Sequence, residues 1–262
     1  MEKEEIKQHD RAESVDELKS FHTKEAIRRR LAGGPRHSYL KDFVYGAIDG
    51  SVTTFAVVSG VAGAGLPDKI IIILGVANLL GDGFSMAASN FLGTRAEEQL
   101  REKARKTEHQ HIEKVPEGEM EEVRQIFAAK GFKGQDLEKA VRTITADKER
   151  WVETMLKEEH DLPLQGAVPV RAAAATFAAF VIIGALPLLP FIHKMMLPAD
   201  RFNPFAVSTV ITGVGFFIIG ALKGQFVGES KYLSGIETFL VGGVAAFLAY
   251  LAGILLKGIV PS

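Results

Sequence analysis

A row of polar and sulfur-bearing side chains interrupts Ile70–Gly93, a stretch that is otherwise apolar enough for the inside of a membrane. Asn78, Asp82, Met86 and Asn90 follow one another at intervals of four residues. This spacing drifts by only about 40° per step around a helix of 3.6 residues per turn, so the row shares one face. A carboxylate at this depth costs several kcal/mol unless it faces a partner, a cation or water. Asp82 beside Met86 therefore indicates a functional site. The two asparagines also fit a hydrogen-bonded contact between helices.

A second acidic pair lies in the apolar stretch that precedes this one. Asp42 and Asp49 are seven residues apart, so they lie nearly in line along a helix. Asp42 fits the headgroup boundary equally well, whereas Asp49 lies two turns further in, between two glycines that allow another helix to approach. Carboxylates can strip a hydrated divalent cation, and a thioether favours a transition metal over Mg²⁺ or Ca²⁺. The predicted transport pore comprises Asp42, Asp49, Asn78, Asp82 and Met86.

A charged segment further along the chain carries three pairs of potential metal ligands at helical spacing. The pairs are Glu108 with His111, Glu119 with Glu122, and Met155 with Glu159. Carboxylates with one imidazole and one thioether suit Fe²⁺ or Mn²⁺. Any one pair is typical of a solvated helix face, but three pairs in one acidic segment predict a metal site. Spacing alone does not establish that the pairs converge.

The elements that must position these residues are helices of two kinds. Five segments of about 18–25 largely apolar residues predict membrane-spanning helices; they are 42–66, 70–93, 172–192, 205–222 and 236–256. We therefore expect an all-α membrane protein with five transmembrane helices and a cytosolic helical metal-binding lobe inserted between spans two and three.

The charge distribution divides the chain into four parts. These are an N-terminal tail (1–39), spans one and two (40–94), the lobe (95–165) and spans three to five (166–258). A helix over 14–32 is expected in the tail, either on the surface of anionic lipid or within a partly disordered segment. The second span shows no breaker before Val115-Pro116. Further lobe helices are expected over 117–130, 135–145 and 147–160.

Overall composition narrows the class of protein. The chain has 262 residues, a net charge of −1 and no cysteine, which argues against a nucleic-acid binder and excludes disulfides and thiolate metal sites. No signal peptide is expected, because the first 37 residues contain no apolar core segment. Arginine and lysine before the first span place the N-terminus and the lobe in the cytosol by the positive-inside rule. Lys194 and Arg201 on the opposite side weaken this assignment without reversing it.

Four runs carry a resemblance to a known family: DGSVTTFAVVSG, GDGFSMAASNFL, VPEGEMEEV and a methionine-bearing helix ending in Glu-Glu. In this order they resemble the vacuolar iron transporter family, including its nodulin-like and bacterial members, over residues 40–258. The resemblance implies a five-span homodimer with a pore between protomers, built largely from the first two spans. It also implies export of Fe²⁺, and often Mn²⁺, from the cytosol against a proton gradient, with a lobe that gathers metal.

The resemblance assigns roles residue by residue. Asp49 matches the family's pore aspartate and Met86 its pore methionine. The matching lobe ligands are Glu108, Glu119, Glu122, Met155 and Glu159. The chain departs from the family pattern at Asn78 and His111, where many members carry glutamate, and at Leu156. We hypothesise that Asp82 substitutes for the glutamate missing at Asn78.

The predicted function is therefore a proton-coupled transporter of Fe²⁺ or Mn²⁺, with no organic cofactor and no catalytic residues. The alternative is a membrane-anchored di-iron carboxylate protein of ferritin type, suggested by the Glu-x-x-His spacing of Glu108 and His111. That site needs a second Glu-x-x-His, which the sequence lacks. We expect a multi-pass protein of a prokaryotic inner membrane, or of the vacuolar membrane if the source is eukaryotic.

Overall fold

The computed structural model describes residues 15–32, 38–197 and 201–258. The chain divides into two units, 1–38 and 39–262. Within the described residues, all regular secondary structure is helical.

The described part of the first unit contains two short helices, α1 (Val15–Phe21) and α2 (Lys24–Ala32). The single helix predicted over 14–32 is therefore wrong in its continuity, and its first residue lies outside the described residues. The break falls at Thr23, whose hydroxyl accepts a hydrogen bond from the Ala26 amide at 3.3 Å. A threonine in this position caps a new helix instead of continuing the old one.

The second unit is a succession of helices joined by short connections. In chain order they are α3 (Leu40–Ala64), α4 (Asp68–Lys114), α5 (Pro116–Ala129), α6 (Gly134–Thr145), α7 (Lys148–Glu158), α8 (Pro169–Gly184), a 3₁₀ turn (Leu186–Leu188), α9 (Leu189–Met196), α10 (Pro204–Val227) and α11 (Lys231–Leu256).

Among the described residues, five helical segments are long and apolar enough to cross a membrane, which confirms the predicted number. They are α3, the first part of α4, α8 with α9, α10 and α11. The third differs from the continuous helix predicted over 172–192, because a 3₁₀ turn separates α8 from α9. Pro187 and Pro190 lack amide donors, so they cannot maintain the regular hydrogen bonds of an α-helix at this point.

Helix α3 is the centre of the apolar region and contacts α4, α8, α10 and α11. Its glycines make this close packing achievable: a β-carbon at Gly50 would collide with the carbonyl oxygen of Phe180 on α8. The apolar core around α3 consists of Phe55, Val58, Val61, Ile71, Leu79, Phe180, Leu188, Phe191, Phe216 and Ala246. The first span is therefore held tightly by its neighbours.

Helix α4 runs without interruption from the second span into a helical lobe, as the absence of a breaker predicted. It ends at Lys114, and Pro116 begins α5. The left-handed backbone of Gly131 (φ 97°) follows α5, and the Asp147 side chain caps α7 by accepting the Arg150 amide hydrogen at 2.8 Å. The lobe core comprises Ile112, Val123, Val141, Trp151, Val152, Met155 and Leu156.

Candidate metal centre and transport row

The two asparagines of the α4 row bind neighbouring helices by hydrogen bonds. The Asn78 amide donates to the hydroxyls of Thr53 and Thr54 on α3, at 3.3 and 3.2 Å. The Asn90 amide donates to Asp42 Oδ1 at 2.8 Å and to Thr176 Oγ1 on α8 at 2.7 Å. Asn90 therefore joins three spans, and Asp42 belongs to this hydrogen-bonded contact.

Asp49 and Asp82 occupy a different environment. Both are exposed on the surface of the single chain, Asp49 on α3 and Asp82 on α4. The Asp82 carboxylate is close enough to act electrostatically on Asp49. Neither carboxylate forms an ion pair with a lysine, arginine or histidine in the described part of the chain. Two like charges thus lie near each other in apolar spans without a protein cation to balance them.

Met86 lies one helical turn beyond Asp82 and is only partly buried. Its side chain packs against the apolar core of the spans. Of the predicted pore set, the structure thus places Asp49 and Asp82 near each other, with Met86 on the adjoining turn. Asn78 and Asp42 instead serve contacts between helices.

The lobe contains a group of ligand atoms compact enough to hold a metal ion. The ligand atoms of Glu108, Glu159 and His160 all lie within 4.8 Å of one another. His160 Nε2 is 3.0 Å from Glu108 Oε1. Glu108 lies on α4, whereas Glu159 and His160 immediately follow α7. The packing of α4 against α7 therefore assembles this group.

A second buried carboxylate adjoins the group. Glu119 near the start of α5 is 3% exposed, and its Oε1 is 3.2 Å from His111 Nδ1. Glu108 is 1% exposed. One oxygen of each carboxylate, Glu108 Oε2 and Glu119 Oε2, is buried without a hydrogen-bond partner among the described residues. A buried oxygen in this state is costly unless a cation or donor satisfies it. The residues therefore fit a divalent cation.

The electrostatics of the lobe group reflect several acids gathered together. Burial, reinforced by the charges of Glu108 and Glu122, raises the pKa of Glu119 to about 7. Burial and Glu108 also raise the pKa of Glu159. The hydrogen bond to Glu108 raises the pKa of His160. Crowded carboxylates hold protons in this way until a cation replaces them.

Comparison with known proteins identifies the family. The sequence model of the VIT family matches residues 40–254. The chain belongs to the VIT family. A vacuolar iron transporter of Toxoplasma gondii is 33% identical over 228 residues, which cover 85% of this chain and 76% of the relative. Vacuolar iron transporter 1 of Arabidopsis thaliana is 30% identical over 214 residues, covering 80% and 83%. The vacuolar iron transporter of Plasmodium berghei is 30% identical over 225 residues, covering 84% and 82%.

For this VIT-family chain, five of the six predicted lobe ligands lie close together, because Glu108, His111 and Glu122 all act electrostatically on Glu119 and Glu159. Met155, the sixth, is fully buried in the lobe core. His160 was not predicted from the sequence. The residues three and four positions before it are Lys157 and Leu156, so helical spacing could not pair it with an acid. Its position directly after Glu159 was the available signal.

Proposed function

We propose that this protein transports Fe²⁺, and also Mn²⁺, across a membrane in exchange for protons. The observation that carries the proposal is the proximity of Asp49 and Asp82 in apolar spans, with no compensating cation among the residues that the structure describes. A passing divalent cation would balance both charges. We propose iron as the transported metal because the similar proteins are named vacuolar iron transporters.

The exposure of these two carboxylates supports a homodimer. In a single chain they would face lipid, where a charged side chain costs several kcal/mol. A second copy packed on α3 and α4 would enclose both acids. We propose that the pore, with Asp49, Asp82 and Met86, lies between the two copies.

The lobe would gather the metal before it enters the pore. Its ligands in our proposal are Glu108, Glu119, Glu122, Glu159 and His160, with His111 Nδ1 lying 3.2 Å from Glu119 Oε1. These oxygen and imidazole donors suit Fe²⁺ and Mn²⁺. Because α4 is one continuous helix from Asp68 to Lys114, it connects the lobe group directly to the pore row. We propose that the lobe faces the cytosol.

Proton exchange follows from the same acids. Glu119 has a pKa of about 7, so it loses its proton near neutral pH and can then bind a cation. On an acidic far side, protons would compete with the metal for the pore carboxylates and release it. Metal export is thereby linked to proton entry. The membrane in question would be an inner membrane of a prokaryote, or a vacuolar membrane in a eukaryote.

The ferritin-type alternative is not favoured by the structure. The Glu-x-x-His pair that suggested it is divided between two contacts: Glu108 with His160, and His111 with Glu119. A ferritin-like centre needs two such motifs and a glutamate from each of two other helices.

The proposal is tested by metal flux into liposomes that contain the purified full-length protein. Fe²⁺, Mn²⁺, Co²⁺ and Zn²⁺ are offered outside, with and without an acidic lumen, to molecules whose lobe faces outward. We expect Fe²⁺ and Mn²⁺ entry that an acidic lumen accelerates, and its loss in Asp49→Asn and Asp82→Asn. Asp68→Asn, at the start of α4 and paired with Lys194 at 3.7 Å, is the matched control and should retain flux. Unchanged flux in Asp49→Asn would contradict the proposal, and unchanged flux in Asp82→Asn would remove Asp82 from it.

A further inference from the structure

A large cleft lies beside α4, where this helix leaves the apolar region, and faces the connection from α7 to α8. Its volume is about 1090 Å³. The apolar part of its lining is formed by Phe91, Leu164, Val168, Pro169 and Val170. Its charged part contains five cations, Arg95, Arg101, Lys103, Arg105 and Lys106, against two acids, Glu98 and Glu102. The cleft is thus apolar at one end and positively charged along the other.

The cleft straddles the level at which the spans leave the membrane. On α4, Arg95 is the first charged residue after the apolar stretch, which contains only Asp82 as a charge. On α8, Arg171 is the last charged residue before the next apolar stretch. Phe91 lies one turn to the membrane side of Arg95, and Val170 lies next to Arg171. The other cations of the cleft continue along α4 away from this level. The apolar end therefore opens towards the acyl chains of the lipid.

Two arginines of the cleft are available to an external anion. Arg105 is paired with Glu149 at 3.1 Å, and Lys106 with Glu102 at 3.6 Å. Arg95 instead lies over the Phe91 ring, 5.9 Å from its centroid. Arg101 packs against Gly166, where a β-carbon would lie 2.5 Å from Nη1.

Neither of these two arginines forms an ion pair with a carboxylate in the described ranges. The absence of a side chain at Gly166 leaves room for the Arg101 guanidinium beside the connection to α8. Two unpaired guanidinium groups above an apolar floor match a phosphate group attached to acyl chains, because arginine binds phosphate through paired donors.

We propose that this cleft binds an anionic phospholipid, with its phosphate headgroup held by Arg95 and Arg101. The acyl chains would leave the cleft over Val168 and Val170 into the membrane. Basic pockets beside spans at the membrane surface are suited to such headgroups. The apolar floor would contact acyl chains, whereas a free phosphate ion would gain nothing from it. The position at the membrane boundary therefore favours a phospholipid over a free phosphate ion. The bound lipid would stabilise α4 where this helix passes from the spans to the lobe.

The test measures lipid retained by the full-length protein after purification from nanodiscs of phosphatidylcholine with one-fifth phosphatidylglycerol. Native mass spectrometry counts the phosphatidylglycerol molecules bound per protein. The variant is Arg95→Gln with Arg101→Gln. Its matched control, Lys41→Gln with Lys231→Gln, removes the same charge at the starts of α3 and α11, which chain order places on the lobe side of the spans. A third variant, Val168→Trp, fills the apolar end without changing charge.

Wild type and the lysine control should retain phosphatidylglycerol, and the double arginine variant should bind it about tenfold or more weakly, since each basic residue near the surface is worth about fivefold. Val168→Trp should also lose the lipid. The size-exclusion profile establishes that each variant is folded, and the fluorescence of Trp151 does so for the variants that keep a single tryptophan. Equal loss in the lysine control, or full retention in the arginine variant, overturns the proposal. So does displacement of the lipid by millimolar inorganic phosphate, which would make the site one for a free anion.

Discussion

Replacing Glu119 by glutamine should stabilise the metal-free lobe at neutral pH. The carboxylate is 3% exposed, one of its oxygens has no hydrogen-bond partner among the described residues, and its pKa is raised to about 7. Glutamine keeps the shape of the side chain and an oxygen that can face His111, but carries no charge. We therefore expect the native carboxylate to lower the stability of the metal-free lobe, and metal binding to compensate for this loss.

The size of this effect follows from the two pKa values. In the unfolded chain Glu119 ionises near its ordinary value of 4.5, and in the folded lobe at about 7. Between these values the folded state binds more protons than the unfolded state, so the free energy of unfolding falls as pH rises. A difference of this size corresponds to about 3 kcal/mol once both states are ionised, and to less than about 1 kcal/mol at pH 5.

Trp151 makes the effect measurable in the full-length protein. It is the only tryptophan in the chain and is 5% exposed in the lobe core. Its fluorescence in detergent therefore reports unfolding of the lobe, without a contribution from tryptophan in the spans. In urea with a chelator present, Glu119→Gln should raise the unfolding midpoint by roughly 1–3 M at pH 7.5 and by much less at pH 5.

The matched control is Glu117→Gln, which removes an exposed carboxylate in the first turn of the same helix. It should lower stability by no more than about 1 kcal/mol, because an acid near a helix N-terminus is slightly favourable. The reasoning is refuted if Glu119→Gln is no more stable than wild type at pH 7.5. It is equally refuted if the gain is the same at both pH values.

Three further outcomes follow from the contacts. Metal affinity of the lobe should rise between pH 6 and 8, because Glu119 and His160 must lose protons first; titration calorimetry with Mn²⁺ measures it, and a flat profile would contradict the assignment. His160→Gln should weaken Mn²⁺ binding about 10–100-fold, whereas His22→Gln should not; equal binding would remove His160 from the site. Gly50→Leu should prevent α3 from packing on α8 and lower the yield of folded protein in detergent, while Gly243→Leu, where the added side chain meets open space, should fold normally.

The number of spans and the course of α4 could be predicted because both depend on local composition. Apolar length alone identifies a span, and the stretch between Arg95 and Lys114 lacks a helix breaker. The interruption before α9 was missed although Pro187 and Pro190 were visible. Prolines are tolerated in some membrane helices, so their presence alone does not fix where a helix breaks.

The residue types of the candidate sites could be predicted from the sequence, but the residues that each of them contacts could not. Helical spacing indicated that Asn78 and Asn90 share a face with Asp82, but not that each asparagine binds the threonines of a neighbouring helix. His160 was not predicted because no acid lies three or four residues before it, and because it contacts Glu108 only through the packing of α7 on α4. Such long-range contacts are set by tertiary packing, which a periodicity argument does not contain.

The central claim is that the lobe group and the pore acids bind the transported metal ion one after the other. It is tested by the initial rate of Fe²⁺ entry into proteoliposomes over a wide range of free Fe²⁺ concentrations. The account predicts that Asp49→Asn abolishes entry at every concentration. It predicts that Glu108→Gln raises the concentration giving half-maximal entry while leaving the maximal rate unchanged. Entry that persists in Asp49→Asn, or a Glu108→Gln protein with wild-type concentration dependence, would contradict it.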